Sequence, residues 1–512
     1  MLRIKEKEQD TMQLTKTSDE SKGRFHICQI VARFRSTQWA AVTRSAITLA
    51  LLAVLLLIAT HPAQAETEAV LYSFNSNPDG ANPESRLTLN GGNFYGTTNA
   101  GGTGSGTVFE LSPNGTETVL YNFCSETNCA DGANPTYSYV TFDSAGNLYG
   151  TAYAGGANGY GVVFELSPGQ SGWTEKVLYS FANSPDGENP VNGLVMDAAG
   201  NLYGTTYNGG GGGNGAVFEL SPSAGNWTEQ VIYSMKSTHA GLAIDGSGNL
   251  YGVNLQEVFE LSPNGSGGWK PTALHKFVKT SFNPNGTPVL DSAGNIYGTT
   301  YAGGTSGYGT VYKLTPNGKG QWTWQVPYTF GTATSHPLAG VAVDSNGNLY
   351  GTTTAGGLKG LGVIYELSPK GTGGYAYRVL QAFNGENGNQ SYGSLIFSAG
   401  YLYGTTYGGG TNGEGTVFAS NPNAAVTTTT IKSSPNPSTD GQLVTFTATV
   451  TPAPPDGEVI TFEMIGDGPL VGGVATFQTS YLPVGKTNVR AIYFGDLNFL
   501  PSKSNWITQV VK

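Results

Sequence analysis

The sequence predicts an all-β protein, a seven-bladed β-propeller closed by an N-terminal strand and followed by an immunoglobulin-like β-sandwich. Three observations predict it. The composition is that of short strands and tight turns, with 75 Gly, 28 Tyr and 22 Phe among 512 residues and only 12% charged. A signature recurs seven times, at Phe94-Tyr95-Gly96, Leu148-Tyr149-Gly150, Leu202-Tyr203-Gly204, Leu250-Tyr251-Gly252, Ile296-Tyr297-Gly298, Leu349-Tyr350-Gly351 and Leu402-Tyr403-Gly404. Its period of about 50 residues, made only of short strands, is that of propeller blades. Finally, one apolar strand, Val70 to Phe74, stands ahead of the first repeat while the last repeat lacks its counterpart.

The chain opens with a targeting signal. A basic stretch ending at Arg44 precedes an apolar run from Ala46 to Ala59, and Ala63-Gln64-Ala65 supplies the small residues of a signal-peptidase site. The run of about 14 residues is short of the roughly 20 that span a bilayer. Residues 1–65 are therefore expected to be removed, leaving a protein exported to the periplasm, the cell surface or the medium, without membrane insertion. No cysteine follows the cleavage point, so no lipid anchor is expected there. The leader carries 9 Lys and Arg and 5 Asp and Glu, so its removal leaves 16 against 30 and moves the formal charge from −10 to −14. That balance argues against nucleic acid and anionic membranes as partners. Cys28 leaves with the leader. Cys124 and Cys129, with four residues between them, are expected to form a local disulfide, since a zinc site would need further ligands nearby.

Residues 66–421 carry the repeats, each read as four strands. In the third repeat strand A is Gly193 to Met196, strand B Asn201 to Thr206, strand C Ala216 to Leu220, ended by Ser221-Pro222, and strand D Gln230 to Ser234. Strands C and D both occur seven times, but the first D, Val70 to Phe74, precedes any A, B or C, and the last C, Thr416 to Phe418, has no D after it. The N-terminal strand is thus expected to complete the last blade, which closes the ring and removes exposed edges. After a linker, residues 422–430, the composition shifts to segments that alternate with period two, such as Leu443 to Val450 and Asn488 to Tyr493, as half-buried sandwich strands do.

Units such as Asn201-Leu202-Tyr203-Gly204-Thr205-Thr206 and Gly106-Thr107-Val108-Phe109-Glu110-Leu111-Ser112-Pro113 resemble the GloVer tandem repeats of exported choice-of-anchor proteins, over residues 69–420. That resemblance implies a surface or secreted location and no settled biochemical activity. Such proteins carry varied C-terminal anchors; no sorting anchor is expected here, since no apolar, basic-tailed segment precedes Lys512. The sandwich is expected over residues 431–512; Ser434-Pro435-Asn436-Pro437-Ser438, Leu482-Pro483-Val484-Gly485 and Tyr493-Phe494-Gly495-Asp496-Leu497-Asn498-Phe499 resemble bacterial Ig-like repeat domains across nearly all of residues 427–512, which implies a spacer or adhesive unit.

A residue that recurs in every blade is explained by something every blade needs. Glu110, Glu165, Glu219, Glu260 and Glu366 recur in strand C, so they are expected to serve the scaffold. The turn acids Asp143, Asp197, Asp245, Asp291 and Asp344 recur as Asp-x-x-Gly-Asn and suit turns better than calcium loops. The glycine-rich B-to-C loops join strand to strand, so no helix N-terminus backs them as a phosphate cradle. His239, His275 and His336 lie in different repeats with no linking motif, and Trp322 and Trp324 suit packing. No catalytic group, metal or cofactor is expected.

The B-to-C and D-to-A loops emerge on one face of the ring. That face carries Tyr153, Tyr160, Tyr207, Tyr301, Tyr308 and Tyr407, and Asp79, Asp131 and Asp186 of three Asp-Gly-x-Asn-Pro loops. Tyrosines beside short polar groups suit recognition of carbohydrate or protein. The fourth repeat replaces its glycine loop with Val253-Asn254-Leu255-Gln256, and the connection before it, through His239, lacks the Asp-Gly-x-Asn-Pro element. A lowered rim open to a ligand is expected there. The leading expectation is a monomeric secreted or surface protein that binds an extracellular glycan or protein; the alternatives are a propeller enzyme acting on extracellular polysaccharide and a purely structural envelope component. The enzyme reading requires two convergent carboxylates, or a Tyr/His pair, at the channel mouth.

Overall fold

The computed structural model describes residues 68–277, 283–318, 320–371 and 374–512. The leader expected over residues 1–65 lies outside them. Seven four-stranded antiparallel sheets form the blades, and a seven-stranded sheet with a two-stranded partner forms the C-terminal sandwich. In the third blade strand A is Gly187–Met196, B Leu202–Gly209, C Ala216–Ser223 and D Asn226–Ser234. Strand C here continues through Ser221-Pro222, where a stop was expected. Strand B ends opposite Leu220, and beyond it Pro222 pairs only with Trp227 of strand D, so the missing N–H faces no ladder.

Closure follows the expected permutation. The N-terminal strand Glu68–Ser73 is the outer strand of the seventh blade, with Val70 opposite Phe418 and Tyr72 opposite Val417 of strand C, Thr416–Ser420. Phe74, fully buried, continues the ladder by donating its N–H to Gly415 at 3.0 Å.

The repeated signature has a packing cause. Each glycine of the Tyr-Gly pair lies opposite an aromatic residue of strand C, as Gly96 opposite Phe109, Gly150 opposite Phe164 and Gly204 opposite Phe218. A Cβ on Gly96 or Gly150 would lie 2.6 Å from that ring, so only glycine lets the ring lie flat across strand B. The tyrosine beside it ties down the preceding turn. Tyr149, Tyr203, Tyr251, Tyr297 and Tyr350 each donate a hydroxyl to the turn aspartate six residues earlier, at 2.9 to 3.1 Å. The same aspartates accept from the Asn side chain and from two backbone N–H groups, as Asp197 does from Asn201 and Ala199.

Blades are stitched to one another near the axis. Thr97, Thr151, Thr205, Thr299, Thr352 and Thr405 of strand B donate hydroxyls to backbone carbonyls of the next blade, Thr405 reaching Ser85 across the closure at 2.9 Å. The fourth blade has Val253 at this position, whose side chain cannot make the bond.

The sandwich begins with the strand Thr428–Ser434, already inside the segment expected as linker. Its core alternates as the sequence does, with Val444, Phe446, Ala448 and Val450 buried against Ile460, Phe462, Val489 and Tyr493. Asn498 joins it to the propeller: its side chain accepts from Tyr401 at 2.8 Å and Asn421 at 3.1 Å, and its carbonyl from Ala425 at 2.7 Å.

Candidate functional site

The innermost strands leave an axial channel with three segments. On the face of the B-to-C and D-to-A loops lies a mouth of about 520 Å³, lined by Glu84, Tyr137, His239, Asn285, Tyr301 and Tyr392 with Leu338, Asn283, Thr354, Gln390 and Tyr407. Below it a waist of about 40 Å³ adds Arg86, Tyr139 and Thr287. Beyond the waist a chamber of about 450 Å³ is walled mainly by aliphatic residues of strand A, among them Leu242, Ile244, Val289, Val341 and Ile396.

One repeat position builds the mouth. Glu84, Tyr137, His239, Asn285, Leu338 and Tyr392 each stand three residues ahead of a buried residue that immediately precedes strand A, respectively Leu87, Val140, Leu242, Pro288, Val341 and Leu395. Every blade but the third thus presents this position to the mouth; there the equivalent Val191 is buried, and its neighbour Asn192 lines the waist instead. The aromatic groups form a connected arc. Tyr207 stacks on His239 at 4.6 Å, Tyr137 meets His239 edge-on at 5.6 Å and Tyr392 at 6.2 Å, and Tyr392 meets Tyr407 at 5.1 Å.

Two titratable groups sit in this arc. Glu84 is only 7% exposed, and its Oε2 has no hydrogen-bond partner among the described residues. Burial pushes its carboxyl up to about 7, opposed by the Tyr137 backbone N–H donated to it. Burial lowers His239 below its ordinary value, opposed by a hydrogen bond with Asn285, so the imidazole is neutral at neutral pH. Burial raises the hydroxyls of Tyr137 and Tyr392, with the Glu84 carboxyl adding to it. Burial thus favours the uncharged forms of Glu84 and His239, in a mouth rich in ring faces and in amide donors and acceptors.

Of the residues singled out in the sequence, Tyr301, Tyr407 and His239 line the mouth, and Tyr207 backs it through His239. Tyr153 lies near Tyr207 but does not line the cavity. Tyr160 and Tyr308 are wedged into inter-blade cores, Tyr308 also against His336. Asp79, Asp131 and Asp186 do not line the mouth. Asp79 and Asp131 are 4% and 2% exposed. The three accept the hydroxyls of Tyr72, Tyr121 and Tyr179 at 2.6, 2.8 and 3.0 Å, and Asp131 and Asp186 also cap backbone N–H groups. Their loops staple blades together: Pro190 packs on Gly161, whose φ of +96° only glycine adopts without strain, and Asn189 donates to the Tyr153 carbonyl at 3.1 Å. The opening also differs from the expected notch over the fourth blade. Asn254 does close a tight turn there, accepting from Gln256 and Glu257, but the cavity is axial and draws on six blades.

Sequence reasoning missed Glu84, Tyr137, Asn285 and Tyr392, because no motif marks the start of strand A. The usable signal is divergence at one repeat position, three residues before a residue that stays apolar. The recurring strand-C glutamates, by contrast, stay dispersed in the scaffold: Ser167, Ser221, Ser262 and Ser368 donate to them, and Trp269 of the next blade donates to Glu219 at 3.1 Å. Trp324 stacks on His275 at 3.8 Å and on Tyr312 at 4.8 Å, and Trp322 packs in the same cluster, so both are packing groups. Cys124 and Cys129 are joined by a disulfide in the loop that leads into the second blade.

Comparison with known families identifies the repeat. The Gloeobacter/Verrucomicrobia repeat model matches residues 57–257 and again 256–452. The chain belongs to the Gloeobacter/Verrucomicrobia repeat family. A bacterial Ig-like domain (group 3) matches residues 429–512. A search of curated proteins returned no match. Among solved structures, an extracellular domain from B. thetaiotaomicron is similar at 12% identity and a TM-score of 0.45, with 84% of this chain and 56% of that one covered. An ancestral GH74 enzyme is similar at 10% identity and a TM-score of 0.48, covering 67% of this chain and 48% of that one. A PL25 ulvan lyase, bound to -[GlcA(1-4)Rha3S]-, is similar at 11% identity and a TM-score of 0.41, covering 67% and 94%. The chain spans 56% and 58% of the first two extracellular domains it matches. The seven-bladed ring of this family member rests on its own sheet pairing, described above. Among the described residues no helix is long and apolar enough to cross a membrane.

Proposed function

We propose that this repeat-family protein is exported and binds an extracellular glycan in the axial mouth of its propeller, with the Ig-like domain as spacer. One observation carries the reading: an arc of ring faces, Tyr207, His239, Tyr137, Tyr392 and Tyr407, borders a cavity that also presents Asn283, Asn285 and Gln390. A sugar offers an apolar C–H face to stack on rings and a rim of hydroxyls for amides to bond, and the volume suits one or two residues of a chain. A glycan array probed with residues 66–512 tests it. Specific binding that Tyr392→Ala abolishes is expected; no glycan bound, or equal binding by the variant, would sink the reading.

A second reading has its own observation. The Tyr/His pair required of an enzyme is present, Tyr137 and the neutral His239 with rings 5.6 Å apart. Glu84 is the sole carboxyl lining the mouth among the described residues, so the paired carboxylates of most glycosidases are not met there. Proton transfer between imidazole and phenol is the chemistry this pair would supply. Incubating any bound glycan with the protein and with His239→Ala, and measuring chain length, decides between binding and turnover.

A further inference from the structure

Arg86 occupies the waist directly beneath the mouth, and its circumstances are unusual in this molecule. Its guanidinium lies over the Tyr139 ring at 4.1 Å, which fixes it in place. Its Nε is buried and has no partner among the described residues, and no ion pair or hydrogen bond to any of its nitrogens is found there. The other two described arginines in close cation contacts are satisfied: Arg378 pairs with Glu366, and Arg490 pairs with Glu463 while lying over Trp506. Glu84, two residues earlier and also facing the axis, forms no ion pair with Arg86. Along the three channel segments, Arg86 is the single cationic side chain among the described lining residues. Packing alone explains a side chain that fills the waist, but it does not explain a buried, unpartnered guanidinium nitrogen at the floor of a polar cavity, since native folds pair such groups.

We infer that the glycan taken by the mouth is acidic, and that the carboxylate of a uronic acid unit descends from the aromatic arc to pair with Arg86 at the waist. A carboxylate matches the two-pronged edge of a guanidinium, and Tyr139 leaves that edge free because it covers the cation's face. The sugar ring attached to it lies at the level of Tyr137, Tyr392 and His239, the rings that border both waist and mouth. The inference rests on the glycan-binding reading and adds its substrate class. It also gives Glu84 a part. This carboxyl accepts the Tyr137 N–H and shares the channel lining with Tyr392, His239 and the waist cation Arg86, and in its protonated form it donates to an acidic sugar instead of repelling it.

The test compares a uronic acid oligosaccharide, its neutral carboxyl-reduced counterpart and a sulfated oligosaccharide of equal length, by calorimetry on residues 66–512. The uronate is expected to bind about tenfold or more tightly than the neutral sugar. Arg86→Gln is expected to erase that preference while neutral binding persists, and Arg86→Lys to keep only part of it. Uronate affinity is expected to fall between about pH 6 and about pH 8 as Glu84 ionises, and Glu84→Gln to flatten that fall. Equal affinity for acidic and neutral sugars, a preference that survives Arg86→Gln, or tighter binding of the sulfated sugar would each overturn the inference while leaving the glycan reading in place. Binding of none of the three sugars would overturn both. The comparison of sugars on the unmodified protein needs no variant, so poor folding of Arg86→Gln would not blunt it.

Discussion

The two ends of the channel are built from the same seven repeats, yet they differ in how strictly those repeats agree. At the far end, five blades present the same turn, with Asp, Asn and Tyr in one hydrogen-bonded set, and strand A walls the channel with aliphatic side chains. At the mouth, one position holds Glu84, Tyr137, His239, Asn285, Leu338 and Tyr392. A group that every blade needs is repeated because each blade must solve the same packing problem. A group that differs from blade to blade is released from that demand, so the place where repeats disagree is where a specific surface has room to exist.

The sharpest break of this comparison sets a repeated residue against a divergent one. Phe218, fully buried across strand B from Gly204, should cost about 3–5 kcal/mol when cut to Ala, read by chemical unfolding. Tyr137→Ala should instead leave the melting temperature nearly unchanged and remove glycan binding. If the two effects were exchanged, the division of labour between repeated and divergent positions would be wrong. A smaller loss of stability, about 1–3 kcal/mol, is expected for Asp197→Ala, which orphans the Tyr203 hydroxyl and the donors of Asn201 and Ala199.

The two ends should also answer pH with opposite sign. Burial acts against ionisation of Asp143, Asp197, Asp245 and Asp291 but is outweighed by bonds from Asn side chains, backbone N–H groups and Tyr hydroxyls, so each is held below the ordinary 3.8. Their contribution is present above that value and is lost as pH falls through the folded one. On strand D, burial, with Asp79, Asp131 and Asp186 of the loop face beside them, pushes Glu117, Glu175 and Glu229 up to about 7 from 4.5. A carboxyl raised on folding contributes fully below 4.5, and that contribution is lost as pH rises toward 7. The melting temperature is therefore expected to be higher near about pH 5 than near about pH 8, by a few degrees. Replacing the three glutamates with Gln should level that slope; a slope unchanged in the triple variant would place its source elsewhere.

The architecture was legible because the ring's demands are local and recur. Tyr203-Gly204 announces strand B since nothing but Gly fits under Phe218, and the unpaired first strand announces closure. The mouth was legible where it borrowed a repeated feature, as Tyr301 and Tyr407 do by following strand B, and at His239, where the connection departs from the repeated Asp-Gly-x-Asn-Pro element. Asp79, Asp131 and Asp186 drew notice for the same reason, and a loop repeated on the mouth's face also serves the ring, here by accepting the preceding strand's Tyr hydroxyl. Glu84, Arg86, Tyr137 and Tyr392 were hidden because strand A is short, only Thr141–Phe142 in the second blade, and the axis-facing residues precede it outside any strand, Tyr137 in a turn at φ +54°. Their convergence depends on ring closure, which brings Glu84 of the first blade beside Tyr392 of the last.

The finest test of the comparison lies where one blade breaks the stitching rule. Thr205 donates to the Ala240 carbonyl at 3.0 Å, and Thr205→Val removes that donor while conserving shape, for an expected loss of about 1 kcal/mol. The fourth blade already carries Val253, 1% exposed within the cluster of Ala240, Tyr251 and Val258. By the register of the other blades a hydroxyl there would meet the backbone near Gly286, so Val253→Thr is expected to gain up to about 1 kcal/mol. A gain would mean that the fourth junction keeps the common geometry and merely lacks its bond. A loss of similar size would mean that this junction, which carries His239 to the mouth on one side and Asn285 on the other, is spaced differently from the rest. The divergence that builds the mouth would then extend from side chains into the ring itself.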